Sequence, residues 1–579
     1  MSAEPDAVAV AERNGPPRPR PASGTPAGTR SVGSARGTAL AFALYLVVSS
    51  VFFGRQALAH LGSVVIAPND IDSSQYQWFL AWWPHAILHG LNPFVTHAVY
   101  VPEGYNLTWT TSLAGPAILL SPITLLFGPT VAFNLFAILA PAVSALTAFL
   151  LCRHITRSPW PSLLGGYVFG FSGFVLTTVQ GEPWLAFVAL VPAVALLVLK
   201  RLDGELRRRT FIGLIAGAVV VQFLTSAEVL TTATLFGGLV VALAAALFRE
   251  RRRELLVLVG ELAAAFVIAI VVLSPFLYYM LKPHTSPLHA TLFVGPTDPI
   301  AFFVPGSLLA GGTWLAARWG ALGLPPTHDT FAYLGLPLLA IAFAYMVGER
   351  HRRSARLLTI CFAVGILAVM GTRLIIAGHD TGVALPWALL THIPLIRYAL
   401  PFRTAIYAAL VGAVILASWL ATRPRALPWA VAMLAVAALV PSLSSPYWHS
   451  DAVDPPFFRT GEYRAYLSHA DNVLTVPVDG QNQRWQARSG FAFNIVGGYL
   501  GAFPTSYTRF VAWNALLNGV RPPHWPEALR AYLAAKHATV IVIDKGVGAR
   551  WRPLFASLHI TPVDTGGVLV YRLKTARRS

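Results

Sequence analysis

Along the first 443 residues, apolar side chains come in blocks of 16 to 25 residues, separated by short polar segments. Blocks of this length are what a bilayer demands, since roughly 20 helical residues span a hydrocarbon core of about 30 Å. About eleven can be drawn, at 38–53, 131–152, 161–178, 184–199, 210–225, 229–248, 255–279, 330–347, 356–371, 404–421 and 428–443. The pattern changes in two places. Residues 54–130 mix aromatic, polar and apolar positions, and 444–579 is polar enough to fold in water. Within the latter, NVLTVPV (472–478), EALRAYLAAKHATVIVID (527–544) and GGVLVYRL (566–573) read as strand, helix running into strand, and strand. The fold class expected is an α-helical polytopic membrane protein with a small C-terminal extracytoplasmic α/β domain.

Composition agrees with the pattern. Of 579 residues, 55% are hydrophobic and 12% charged, about half the charge of a soluble protein, and the mean hydropathy is +0.59. The net charge of +18 does not indicate nucleic acid, because the basic residues lie in short clusters between apolar blocks rather than on one continuous face. The clusters alternate. Arg30 and Arg36 precede the first block, and CRHITR (152–157), KRLDGELRRR (200–209), FRERRRE (248–254), GERHRRSAR (348–356) and TRPRA (422–426) follow every even-numbered one. That alternation predicts a cytoplasmic N-terminus and an external C-terminus. A span at 112–128, apolar but broken by Pro116 and Pro122, would spoil it, so this segment reads as interfacial or re-entrant. Residues 1–37, rich in Pro, Gly, Ser, Ala and Arg, are expected to be disordered and cytoplasmic, and 38–53 to be a retained first span. The transmembrane domain is then 38–443, with a long first external loop at 54–130, and 444–579 is the external domain. The two cysteines, Cys152 and Cys361, sit in apolar blocks and supply neither a disulfide framework nor a metal cluster.

Candidate chemistry follows from which charges lie at the external ends. In NDIDSSQYQWFLAWWPHAILHG (69–90), Asp70 and Asp72 precede an aromatic helix whose Trp78, Trp82 and Trp83 suit the headgroup level. The two acids can cap that helix or act as a base at the membrane surface. Arg397 and Arg403 flank YALPF outside the tenth block. They can ligate phosphate or anchor at lipid headgroups. Lys282 and Arg373 also end blocks on the external side. Glu228, in a tight external turn with Ser226, can start a helix or face a cavity; Glu261, near a cytoplasmic end, reads as snorkelling. His85 and His89, at i and i+4, have metal-binding spacing but no acid partner. Asp298 and Asp329 fall in the second external loop, and Asn106 heads an NLT triplet.

These features resemble the C-type (GT-C) glycosyltransferase superfamily, and more closely a group of multispanning actinobacterial integral membrane proteins. The residues that carry the resemblance are WFLAWWPHAILHGLNPF (78–94), VPEGYNLTWTTS (101–112), GPTVAFNLFAILAPAVSALTAFLLCRHIT (128–156), GGYVFGFSGF (165–174), QFLTSAEVLTTATLFG (222–237), AYLGLPLL (332–339) and LPFRTAIYAAL (400–410). The resemblance implies a membrane glycosyltransferase that takes a sugar from a polyprenyl-phosphate donor to an extracytoplasmic glycan, lipid or protein. It implies a catalytic base at Asp72, with Asp70 second; Arg403, Arg397, Glu228, Glu182, Lys282 and Arg373 are the candidate substrate-binding residues. In the actinobacterial group a His follows the Gly of the short loop after the third span. Here that loop reads QGEPW (180–184), with Glu182 in its place. No cofactor is indicated, and a divalent metal is left open. A lipid or glycan transporter or flippase, or a non-catalytic envelope-assembly protein, is the alternative. The sequence has no internal repeat and almost no acids within its apolar blocks, which counts against coupled transport.

Overall fold

The computed structural model describes residues 27–68, 71–282, 296–321, 330–393, 396, 399–452, 454–478, 480, 483–501, 503–546 and 551–573. Asp70, Asp329 and Arg397 lie outside the described residues. From Ala41 onward the chain forms one compact unit.

Among the described residues, eight helices are long and apolar enough to cross a membrane, and the bent pair Pro159–Gly170 and Gly173–Val179 makes a ninth span if counted as one. The protein is a multi-pass membrane protein. The count of eleven is reduced because two apolar blocks form helices too short for the criterion, Arg353–Val369 with 17 residues and Ala426–Ala437 with 12. The helix Ala27–Ser49 starts ahead of the first apolar block, so 27–37, expected to be disordered, is helical. The 112–128 segment does not span. It forms two short helices, Ala114–Leu119 and Ser121–Phe127, broken at Leu120 ahead of Pro122.

Small residues let the core helices approach closely, as lipid-embedded bundles require. A Cβ on Gly170 would collide with Ala145, and one on Gly173 with the Thr330 carbonyl, which gives GGYVFGFSGF its glycines. Most basic loops meet at one end of the bundle. There His154 bonds Asp203 at 2.9 Å, Arg353 bonds Glu250 at 2.7 Å, and Arg251 reaches the Leu202 carbonyl at 3.3 Å. Glu261 does not snorkel. It is 1% exposed and accepts two hydrogen bonds from Arg201, at 2.8 and 2.7 Å, because an unpaired carboxylate in the bundle would be costly.

The C-terminal region carries a five-stranded sheet in the order Val563–Thr565, Val568–Arg572, Val540–Asp544, Asn472–Val476, Asn494–Ile495. The three strands at the Asn494–Ile495 side run parallel and the rest antiparallel. Residues of the first loop continue the sheet: Ile495 donates to the Ala98 carbonyl at 2.8 Å and Val101 to the Ile495 carbonyl at 3.4 Å. Val64–Val65 pairs antiparallel with Ser450–Asp451. The aromatic helix Ile71–Leu88 is therefore enclosed rather than interfacial. Trp78, Trp82 and Trp83 are at most 4% exposed, and each indole N–H is satisfied: Trp78 by Gln486 at 2.7 Å, Trp82 by the Pro93 carbonyl at 3.0 Å, Trp83 by the Ser112 carbonyl at 2.8 Å. The amphipathic indole suits this seam as well as it suits a headgroup layer.

A second clamp on the seam is ionic. Lys536 is 1% exposed; its Nζ lies 2.6 Å from Glu103 and 3.7 Å from the centre of the Tyr507 ring. Glu103→Gln leaves that ammonium buried with no counter-charge, so it should destabilise the protein by about 2–4 kcal/mol. Lys536→Met removes the buried charge itself and should cost less, and the double variant should recover part of the Glu103→Gln loss. Thermal unfolding of the detergent-solubilised variants checks this; equal melting temperatures for wild type and Glu103→Gln would contradict it.

Candidate active site at one end of the bundle

Five separate elements deliver charged and aromatic groups to one place, away from the basic loops. The first turn of Ile71–Leu88 carries Asp72, with Gln75 and Tyr76 just behind. The turn at Gly181, with φ +90°, presents Glu182 ahead of the one-turn helix Pro183–Ala186. Ser226 caps the helix Ala227–Leu247 by accepting from the Val229 amide at 3.3 Å, which leaves Glu228 in its first turn free of the capping role. The 3₁₀ turn Pro401–Thr404 holds Arg403 at the mouth of the helix Ala405–Ala421. From the C-terminal region, residues 497–501 bring Tyr499.

Arg403 binds both glutamates. One terminal nitrogen donates to Glu228 Oε2 and the other lies 3.2 Å from Glu182 Oε1. Glu228 also accepts from the Leu400 amide at 3.1 Å, which fixes its second oxygen. The three side chains are 22–24% exposed, so the ion pairs are partly open to solvent. Arg403 Nε and Gln75 Oε1 are buried and have no hydrogen-bond partner among the described residues. Unsatisfied buried polar atoms are costly and concentrate where a ligand binds.

Two phenols complete the arrangement. Tyr76 packs against Trp184, ring centres 3.5 Å apart. Its hydroxyl is held protonated, first by burial and then by the charges of Glu182 and Asp72, with Arg403 opposing them. Tyr499 is likewise pushed up, by burial, then by Asp72, Tyr105 and Glu182. The Tyr499 amide donates to Gln483 Oε1 at 2.8 Å. A Cβ on Gly501, at φ +93°, would sit 3.1 Å from Thr110 Oγ1, so the chain turns tightly here against the first loop.

Of the residues singled out in the sequence, Asp72, Glu182, Glu228 and Arg403 come together. Lys282 does not join them: it is exposed and stacks over Tyr278 and Tyr279, at 4.5 and 5.0 Å. Arg373 does not either. It pairs with Asp380 at 3.1 Å on the hairpin Arg373–Ile376/His379–Ala384, both side chains exposed. Asp298 caps the turn Pro299–Phe302 and accepts from the Gly378 amide at 2.9 Å. Tyr76, Gln75, Trp184 and Tyr499 were not expected. Only Tyr499 carried a local signal, its glycine-rich GGYLG setting, which marks a tight turn. Among the described residues one group has metal-ligand spacing, His154, Asp203 and Glu205, and it lies among the basic loops with His154 bonded to Asp203 and Glu205 to Lys200.

The architecture has counterparts among solved structures. The arabinofuranosyltransferase AftD from Mycobacteria superposes with a TM-score of 0.56 at 14% identity, over 93% of this chain and 40% of that one. The fold resembles that of this arabinofuranosyltransferase. The R1389S variant of AftD matches at a TM-score of 0.50 with 14% identity, over 93% and 41%. An oligosaccharyltransferase of Archaeoglobus fulgidus matches at 0.47 with 13% identity, over 93% and 75%. This chain thus spans about two fifths of the length of AftD. No protein-family model and no curated protein sequence matches it.

His85 and His89 stand further along the aromatic helix, outside the cluster around Arg403. His85 stacks on Phe491 with ring centres 4.4 Å apart, and its pKa is lowered to about 4 by burial, then by His89 and His469. The unfolded chain therefore takes up a proton near pH 6.5 that the folded chain refuses until about pH 4. Stability should rise with pH across that window and level off above it. Melting temperatures measured from pH 4 to 7 should show the slope, and His85→Gln should flatten it.

Proposed function

We propose that this protein is a membrane glycosyltransferase that moves a sugar from a polyprenyl-phosphate donor to a hydroxyl-bearing glycan, lipid or protein at the external membrane face. The observation that carries the reading is that Asp72 and Arg403 both lie near enough to act electrostatically on the Tyr76 phenol, beside the ion pairs of Arg403 with Glu182 and Glu228. The GT-C fold is consistent with it, and the donor class follows from the sequence resemblance.

In this reading the acceptor oxygen attacks the anomeric carbon while Asp72 takes its proton. The bond from that carbon to the phosphate oxygen breaks, and the phosphate leaves with the electron pair. Arg403, held in position by Glu228 and Glu182, offers its unpartnered Nε and shares its terminal nitrogens with the developing charge. Tyr76 and Tyr499, both protonated, donate hydrogen bonds to sugar or acceptor oxygens, and Trp184 supplies an apolar face. Asp72 and Glu182 are suitable hard ligands for a divalent cation, which would offset the charge of an incoming phosphate. The rival transport reading has no such use for Asp72.

Asp72→Asn keeps shape but cannot take a proton near neutral pH. It should lower turnover by about 10²–10⁴-fold in protein that still inserts and melts normally, while Asp70→Asn has a much smaller effect. Arg403→Lys keeps the charge but cannot bridge two carboxylates, so it should also be severely impaired. Sugar transfer by purified variants, with and without a chelator, is the measurement. Full activity in well-folded Asp72→Asn protein would return Asp72 to a helix-dipole role.

The reading also requires the cluster and the C-terminal region to be external, as the alternating basic loops predict. A phosphatase fused after residue 579 should be active and a cytoplasm-dependent reporter silent; the reverse result would sink the external assignment.

A further inference from the structure

A second cavity opens on the far side of the aromatic helix. At 3.6 residues per turn, Ala81, His85 and Leu88 lie on the side of Ile71–Leu88 away from Asp72 and Tyr76, and His85 is roughly 20 Å further along the axis. The cavity has a volume of about 370 Å³. One wall is apolar: Leu125 and Phe127 from the short helix Ser121–Phe127, next to the first turn of the span Pro129–Thr156. The other is basic: Arg484 and Arg488 from the C-terminal region, with His85 and His89 between.

Among the described residues the charge there is not neutralised. Arg484 and Arg488 share a single carboxylate, Asp454, at 2.8 and 3.0 Å, so two guanidiniums face one acid that is 0% exposed. Arg488 keeps 35% of its side chain exposed, with donors left over. His85 adds no charge at neutral pH. Beside the apolar wall, Leu119, Leu125, Leu126 and Phe127 are 57–79% exposed, in a segment that leads directly into a membrane span. A basic pocket rimmed by lipid-facing leucines at the end of a span fits an amphiphile whose head is anionic and whose tail is apolar. A soluble anion would leave the apolar side unused.

We propose that this cavity binds the phosphate headgroup of an anionic membrane phospholipid, its acyl chains lying along the exposed face of Ser121–Phe127. The lipid would tie the C-terminal region to the membrane surface at a seam made by the first loop, the first turn of a span and the Gln483–Arg488 helix. It is independent of the transfer chemistry and of the donor.

The test uses the full chain in detergent, with native mass spectrometry to count bound lipids. Phosphatidylglycerol should be retained over phosphatidylcholine of the same chains. Arg488→Gln, which leaves the Arg484–Asp454 pair intact, should reduce retention about tenfold, the size expected for a lost charge-assisted hydrogen bond. His89→Glu, an exposed change that puts a carboxylate at the rim, should do the same even if Arg488→Gln folds poorly. Arg530→Gln, an exposed arginine elsewhere, should change nothing. Equal retention of the two lipids, or undiminished phosphatidylglycerol in His89→Glu, overturns the proposal. So does full displacement of phosphatidylglycerol by millimolar inorganic phosphate.

Discussion

The site depends on one guanidinium. Arg403 is held by two carboxylates, Glu182 and Glu228, that come from turns 46 residues apart in the chain, and it sits 175 residues beyond the second. No local preference could produce that contact. It requires three hairpin ends of the bundle to meet, and once they meet the charges cannot easily be separated. Breaking a fully buried pair costs roughly 3–5 kcal/mol. Here the partners are 22–24% exposed and the cost is lower, but each acid still serves as the other's replacement only in part. Glu228 is also anchored by the Leu400 amide, so the carboxylate and the 3₁₀ turn that carries Arg403 position each other. On the Glu182 side the contact with Arg403 is 3.2 Å.

The C-terminal region is part of this site rather than an appendage. Tyr499 reaches the acids because the strand Asn494–Ile495 is stitched to residues 98–101 of the first loop, and because Gln486 accepts from Trp78 while donating to the Ala98 and Phe493 carbonyls at 2.8 and 2.7 Å. One amide side chain thus ties the aromatic helix, the first loop and the sheet domain together. Leaving any of its partners unsatisfied in this buried setting would cost more than the bond contributes. The dependence runs in one direction. Asp72 and Tyr76 sit on the same helix as Trp78, so whatever loosens the domain seam also loosens the Asp72 end of that helix.

How much of this was legible in the sequence follows from what sequence patterns encode. Apolar block length and basic alternation record partition between water and lipid, and the blocks fall on helices. Charges at the ends of blocks away from the basic loops were legible for the same reason, since Glu182, Glu228 and Arg403 are conspicuous against an apolar background. Arg373 and Lys282 were conspicuous in the same way, yet one forms a surface pair with Asp380 and the other stacks on tyrosines. Hydropathy reports where a charge stops, not what it faces. The tryptophans failed differently. An indole buried between protein layers and one at a headgroup layer have the same local sequence, and only the non-local partners Gln486 and Ser112 distinguish them. Tyr76 was invisible, and Tyr499 was marked only by its glycine-rich turn, because a tyrosine acquires a role only from the charges folded around it. The short helix Ala426–Ala437 shows the limit of counting blocks, because apolar character persists to residue 443, beyond the residues that stay helical.

Charge balance ties the two faces of the aromatic helix to different chemistry. On the Asp72 face, Arg403 is held between Glu182 and Glu228; on the His85 face, two guanidiniums share one carboxylate among the described residues. Coulombic interactions over the roughly 20 Å between them are screened at physiological ionic strength, where the Debye length is about 8 Å. The two clusters therefore act independently. A single helix that separates these two environments lets the protein hold a membrane lipid on one side without that lipid's phosphate competing for the arginine on the other.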